Sequence, residues 1–321
     1  MPKDICRFTP SGMRYTLPVA HFGPSHDEGM FTPLPHRNIQ TDKSAVTDNI
    51  KRVWHLRQEC KRYSDDLTKL DRLSNLIVDD KYKTLFCYIP KIACSQWKSI
   101  FITLTGKVNS SRLSIEKVHD FRFNSVINLL SNYPYERRKR ILKEYKKSMI
   151  VRNPLERLLS AYRNKIERKG KARQFQTIRE TILERYRSNM TQEFLAKDDY
   201  NVTFFEFVKF VTDEDPENFN SHWKRYTTLC SPCIIKYDFI GKYESIYRDA
   251  NFILRDLGAP PNIRFPQRSE TYHTIETMNI FEKFYSQIPA EYITKLWNIY
   301  RPDYELFGYS LNDNFKLKTH S

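Results

Sequence analysis

In "LFCYIPKIACSQWKSI" (residues 85–100) a lysine stands directly behind a proline, between an apolar run and an amphipathic one. Ala93, Cys94, Ser95 and Gln96 follow Lys91, and Trp97 opens the second run. The pattern reads as strand, tight loop and helix, and its chemistry is anion binding. Backbone N–H groups at a helix N-terminus face the anion, and Lys91 adds a point charge beside them. Ser95 reads as the N-cap and can offer its hydroxyl to the same anion. A second segment, "SMIVRNPLERLLSAYRNK" (148–165), repeats the geometry: a strand, Arg152 at its end, Pro154 at the first turn of a helix, then Ser160. An arginine fork from a strand end and a serine from the adjoining helix can converge on one phosphate. Either segment alone is weak evidence, since many strand–loop–helix units carry a lysine. Two such grips on neighbouring strands suit a nucleotide phosphorylated at both its 5′ and 3′ ends.

The loop holds no glycine. No pair of glycines has the Walker spacing, and a G-x-G-x-x-G is absent as well. Two histidines are candidate general bases, because imidazole takes up a proton near neutrality. His119 lies beyond the helix that follows the loop, and His222 opens an "HW" pair. Each also fits a packed structural histidine; His119 is preferred. Cys230-Ser-Pro-Cys233 is a lone C-x-x-C, without the further ligands zinc needs and without a following helix as in thioredoxin-type motifs. A structural disulfide, within the motif or to another cysteine, is the better expectation, with the pairing open. Cys87 and Cys94 bracket the loop as buried thiols or bridged residues.

The elements that must position these residues follow from periodicity. "KTLFCYI" (83–89), "SMIV" (148–151) and "CIIKYDFI" (233–240) read as buried strands; helices read from Ser95 to Leu104 and from Pro154 to about 168. "YERRKRILKEYKK", "TIRETILERYR", "TFFEFVKFV", "YESIYRDANFILRDLG" and "AEYITKLWNIYRPDYELFGY" read as further helices. Strands alternating with helices predict an α/β domain with a central parallel sheet. Residues 1–45, rich in proline and glycine, read as a flexible tail or stem. Residues 46–80 carry a helical pattern (Val53, Leu56, Cys60, Tyr63, Leu67, Leu70) for a stem or packing helix, and 81–315 form the domain.

Lys and Arg number 53 against 38 Asp and Glu, a net charge of +15, so the surface favours polyanions: nucleic acid, anionic lipid or acidic polysaccharide. No recognition module for nucleic acid is visible, and no nucleic acid is expected as partner. No run approaches the ~18 apolar residues of a membrane span, and the first residues do not resemble a signal peptide. Asn109, Asn189 and Asn201 lie in N-x-S/T sequons, a weak pointer to a glycoprotein. "RRKR" (137–140), with Arg163, Lys165, Arg168, Lys169 and Lys171, forms either a solvated face or a track for an acidic glycan. Trp223, Tyr237 and Tyr243 read as core residues.

Four ordered blocks give the chain a family likeness. "CYIPKIACSQWK" resembles the 5′-phosphosulfate loop of the Golgi carbohydrate sulfotransferases of the chondroitin 4-O-sulfotransferase type. "VRNPLERLLSAYRNK" resembles their 3′-phosphate motif, "HWKRYTTLCSPCIIKYDFIGKYES" (222–245) a downstream block and "YRPDYELFGY" (300–309) their C-terminus. The resemblance covers roughly residues 80–310. It implies the P-loop-like sulfotransferase fold and, as donor, 3′-phosphoadenosine 5′-phosphosulfate (PAPS), with no metal. It places the phosphosulfate on Pro90, Lys91, Ile92, Ala93, Cys94, Ser95 and Gln96. The 3′-phosphate falls to Arg152 and Ser160 within the run Asn153, Pro154, Leu155, Glu156, Arg157, Leu158 and Leu159. The implied acceptor is an acidic glycan, a chondroitin- or dermatan-type chain or an N-acetylgalactosamine-terminated glycan sulfated at position 4. Alternatives are a glucuronic-acid 3-O-transferase of the same branch or an inactive glycan- or nucleic-acid-binding relative. Members are normally type II membrane proteins of the Golgi lumen; no anchor is visible here.

Overall fold

The computed structural model describes residues 39–63, 73–108, 117–119, 125–167, 173–188, 201–267 and 280–311. Sequons Asn109 and Asn189, basic residues Arg168, Lys169 and Lys171, and the helical-pattern positions Leu67 and Leu70 lie outside them. At the centre is a five-stranded sheet of order β3-β1-β2-β4-β5, with β1 Leu76–Asp79, β2 Thr84–Cys87, β3 Asn128–Leu129, β4 Lys146–Val151 and β5 Phe239–Lys242. The three strands β2, β4 and β5 are parallel, in register Cys87↔Met149 and Ser148↔Phe239. β1 runs antiparallel to both β2 and β3, so the sheet is mixed, parallel only across β2, β4 and β5, where Lys91 and Arg152 follow the strands.

Two segments depart from the sequence reading. β1 falls inside 46–80, which reads as helix; its four residues are all buried, so no alternation marks them as a strand. The expected third strand at 233–240 forms later. Ser231 adopts a left-handed conformation (φ 43°), and the N–H groups of Ile234 and Ile235 both donate to its carbonyl. That turn consumes "CIIK", and pairing with β4 starts only at Asp238, whose N–H donates to Lys147 O at 2.8 Å. Gly241 is then required by space: a Cβ there would sit 3.0 Å from Ile150 Cγ1.

Helix α1 (Ile39–Glu59) begins within the expected tail and lies along the outer edge of β5. Asn49 Nδ2 donates to Asp238 O, Asn49 Oδ1 accepts from Ile240 N, and Arg52 donates to Ile240 O. These side chains satisfy backbone groups that an edge strand would otherwise expose. Between the strands come α2 (Cys94–Leu104) and α3 (Tyr135–Glu144), and β4 leads into α4 (Pro154–Ala161). A π-helical turn, Tyr162–Ile166, continues α4. Further along are α5 (Arg173–Tyr186), α6 (Phe204–Asp213), α7 (Tyr226–Cys230), α8 (Ile246–Asp256), α9 (Phe281–Tyr285) and α10 (Ala290–Phe307).

Two apolar cores result. One packs the sheet against α1, α2 and α8 through residues such as Val53, Phe86, Trp97, Met149 and Leu254. The other is helical, gathering Leu155, Leu158, Leu159, Phe207, Trp223, Tyr285 and Tyr304. β4 belongs to the first and α4 to the second. The junction at 152–154 therefore sits where the two cores meet.

Candidate anion-binding site

β2 and β4 are adjacent and parallel, so their C-terminal ends deliver the loop 88–93 and the turn 152–153 to one edge of the sheet. Open α/β sheets bind ligands outside that edge. The loop achieves its curvature without glycine: Lys91 (φ 72°) and Ala93 (φ 52°) both occupy the left-handed region. Each such non-glycine residue costs roughly 1–2 kcal/mol, a strain characteristic of ligand-binding turns. Ala93, not Ser95, is the N-cap of α2, and it makes no side-chain capping bond. Ser95 lies inside the first turn. The first ladder bond of the helix is Trp97 N to Ala93 O, so the preceding amides of Cys94, Ser95 and Gln96 lie outside the ladder, at the positive end of the helix dipole.

Lys91 Nζ donates to Asn164 Oδ1 at 2.8 Å. Asn164 lies on the π-helical turn that follows Ser160, a distortion frequent at functional sites. The sequence reading missed it. Its signal was spacing, one helical turn beyond Ser160. Ser160 itself is half-buried on α4.

Arg152 is buried. Nε and Nη2 donate to Glu156 Oε2 at 3.4 and 3.3 Å, and the guanidinium stacks 4.3 Å from the Tyr243 ring centroid. Nη1 makes no hydrogen bond to another described residue. Tyr243 is half-buried, packed against the sheet core as well as on the arginine, whereas Trp223 and Tyr237 are fully buried. Asn153 caps α4, its Oδ1 accepting from Leu155 N and Glu156 N, with Pro154 in the first turn. Leu155, Leu158 and Leu159 point into the helical core, so only their backbone is available to a ligand.

Arg157 is a buckle. Nε donates to Pro90 O at 3.0 Å, Nη1 to Lys224 O at 2.7 Å and Nη2 to Ser221 O at 2.8 Å. Its guanidinium is committed to three backbone carbonyls, so it joins the loop, α4 and the segment 221–224. Ile92 is buried as well. That segment carries His222. His222 Nδ1 lies 2.7 Å from Asn220 Oδ1, and Phe175 meets the ring edge-on at 5.2 Å. An acceptor oxygen at Nδ1 fixes the proton there and leaves Nε2 as the basic nitrogen. Asn220, two residues upstream, carries no chemistry by itself, and the sequence reading did not single it out. His119 closes a short 3₁₀ turn, Lys117–His119, packed against α2; its backbone alone belongs to the described residues.

The C-x-x-C motif splits. Cys230 is bridged to Cys87 and Cys233 to Cys60. Cys87 ends β2, three residues before Pro90, so one bridge anchors the binding loop to α7. Cys94 is a half-buried thiol at the start of α2. Asp303, fully buried on α10, accepts from Tyr226 N and Thr227 N and so caps α7. Burial pushes its carboxyl up to about 6, against the pull of those amides and of Arg157.

Among the described residues the basic track is not continuous. Arg137 donates to Asp80 in the β1–β2 turn, and α3 ends just before β4 begins, which puts "RRKR" at the opposite end of the strands from Arg163. Lys165 is buried, 5.1 Å from the Phe175 ring centroid.

The family model of the sulfotransferase family matches residues 74–310. The chain belongs to that family, and the mixed five-stranded sheet flanked by helices is consistent with its fold. Among curated relatives, carbohydrate sulfotransferase 14 of Danio rerio is 37% identical over 240 residues, 74% of this chain and 63% of the relative. Carbohydrate sulfotransferase 11 of Rattus norvegicus is 36% identical over 248 residues, 76% of this chain and 70% of the relative. Carbohydrate sulfotransferase 8 of Mus musculus is 34% identical over 269 residues, 81% and 63% respectively. The chain thus spans less than two thirds of the length of some of these relatives. No solved structure matches. Among the described residues no helix is long and apolar enough to cross a membrane, and no cluster of metal-ligating side chains occurs.

Proposed function

We propose that the chain is a carbohydrate O-sulfotransferase that takes the sulfuryl group from PAPS. The single observation that carries this reading is the juxtaposition of the Lys91 loop with the Arg152–Ser160 helix, clasped by Arg157. The 5′-phosphosulfate lies on the loop amides and Lys91, and the 3′-phosphate on Arg152 and Ser160. The residues fit such a donor: the positive end of a helix dipole, one ammonium and one stacked guanidinium. An acceptor hydroxyl attacks sulfur in line, the bond from sulfur to the 5′-phosphate oxygen breaks, and 3′-phosphoadenosine 5′-phosphate leaves. Lys91 and the amides stabilise charge building on that oxygen. The hydroxyl proton goes to a histidine. The Asn220 contact and the Arg157 bridge favour His222, and His119, preferred from sequence, is the second candidate.

The acceptor is an acidic glycan, most simply position 4 of N-acetylgalactosamine in a chondroitin- or dermatan-type chain, by likeness to the relatives above. A lumenal Golgi setting fits the two disulfides, which persist in oxidising compartments. Incubation with sulfur-labelled PAPS and desulfated chondroitin gives labelled chain, and Lys91→Ala or Arg152→Ala abolishes it. Binding of glycan with no transfer from PAPS to any member of an oligosaccharide panel would contradict the proposal.

A further inference from the structure

Helix α1 turns one face to the sheet and the other to solvent, and the outward face has an unusual composition. The exposed residues in 43–63 are Lys43, Ser44, Val46, Thr47, Ile50, Lys51, Trp54, Arg57, Lys61 and Arg62. Half are cationic and none is acidic. Ile50 and Trp54 are each 63% exposed and Val46 is 41% exposed. Spaced four residues apart, these three form one continuous row on the helix surface. Elsewhere among the described residues, the only large apolar side chain so exposed is Tyr135. Of the acids of this helix whose side chains are described, Asp48 pairs with Arg248 and Arg52, and Glu59 with Arg62.

We infer that this face docks on an anionic lipid surface, with Val46, Ile50 and Trp54 entering the headgroup layer and Lys43, Lys51, Arg57 and Lys61 meeting lipid phosphates and carboxylates. An apolar row with Trp, flanked by Lys and Arg along roughly 27 Å of helix, is the composition of helices that lie in a membrane interface. Long cationic side chains reach outward from such a row while their stems stay apolar. Two other occupants account for less. A second copy packed antiparallel about Ile50 sets Lys43 against Arg57, and like charges across an interface disfavour it. An acidic glycan explains the cations but leaves the aliphatic row in water. Docking also leaves the site open. The outward face looks away from β5, whereas the anion grips lie at the C-terminal edge of the strands.

The experiment is vesicle flotation of the full, disulfide-bonded chain, comparing pure phosphatidylcholine with phosphatidylcholine containing about 30% phosphatidylserine. Binding to the anionic vesicles is expected, weakened by salt, with Trp54 fluorescence shifted to the blue and quenched by brominated acyl chains. Trp97 and Trp223 are buried and Trp297 is half-buried against the helical core, so loss of the shift in Trp54→Ser assigns the signal to Trp54. The pair Ile50→Ser with Trp54→Ser, and separately Lys51→Glu with Arg57→Glu, should each weaken binding about tenfold or more. All four positions are exposed, so the fold and bridges are retained, and sulfate transfer to a soluble acceptor stays unchanged. Absence of vesicle binding overturns the inference. So does vesicle binding that both variants leave intact, and so does binding of soluble sulfated glycan or self-association through these residues without any vesicle binding.

Discussion

Lys91 is held by its backbone in the left-handed region and by Asn164 at its ammonium. A neutral amide partner lets the lysine turn toward an incoming anion, whereas a carboxylate would compete with it. Asn164→Asp is therefore expected to lower kcat and weaken donor binding more than Asn164→Ala does. Steady-state kinetics with PAPS varied decides this, and an Asp variant as active as the parent would contradict it. His222→Ala should cost about 10²-fold or more in kcat, the usual contribution of a positioned base. Retention of activity there with loss in His119→Ala would reassign the base. At Asp303 the question is stability. Its carboxyl is pushed up to about 6 by burial, so between pH ~4 and ~6 the folded chain keeps a proton that the unfolded chain gives up. Stability from this group is complete below that window and falls as pH rises through it, by about 3 kcal/mol. Denaturant unfolding across that range should show the parent losing stability relative to Asp303→Asn; parallel pH profiles would contradict the assignment.

At the scale of elements, the sheet edge, the loop and α7 are fastened by one guanidinium and one disulfide. Arg157→Ala strands two buried carbonyls and one part-buried one and should destabilise by about 3–5 kcal/mol, read by thermal or denaturant unfolding. Sequence placed Arg157 with the nucleotide ligands because it lies in the motif. Only the packing reveals that its donors are spent on Pro90, Ser221 and Lys224. Removal of either bridge should cost about 2–5 kcal/mol. The paired Cys87→Ser and Cys230→Ser variant should also raise the KM for PAPS, because Cys87 ends the strand that launches the loop. The Cys60→Ser and Cys233→Ser pair should lower stability alone. Equal effects of the two pairs on KM would show that the loop does not depend on its own bridge. The strands flanking the grips, β2 and β4, were legible because each is an apolar run ending in a lone cation. β1 was not, since four buried residues carry no period, and β5 was displaced because the turn at Ser231 bends residues whose types favour a strand. The loop's curvature was invisible for a similar reason: nothing in the letters of Lys91 and Ala93 announces a left-handed backbone.

For the whole molecule, a net charge of +15 suggested a polyanionic partner but could not say where it binds. The structure divides the charge into separate districts: Lys91 and Arg152 at the parallel edge, "RRKR" at the far end of the strands, and the outward face of α1. The first district is proposed to hold both phosphorylated ends of one nucleotide. Calorimetric titration of the parent and of Arg152→Lys and Arg152→Ala, with 3′-phosphoadenosine 5′-phosphate and with adenosine 5′-phosphate, tests it most directly. The parent is expected to prefer the doubly phosphorylated ligand, and the Arg152 variants to lose that preference, by roughly 10- to 100-fold, while binding the 5′-phosphate as before. Equal weakening toward both nucleotides, or no weakening toward either, would contradict it.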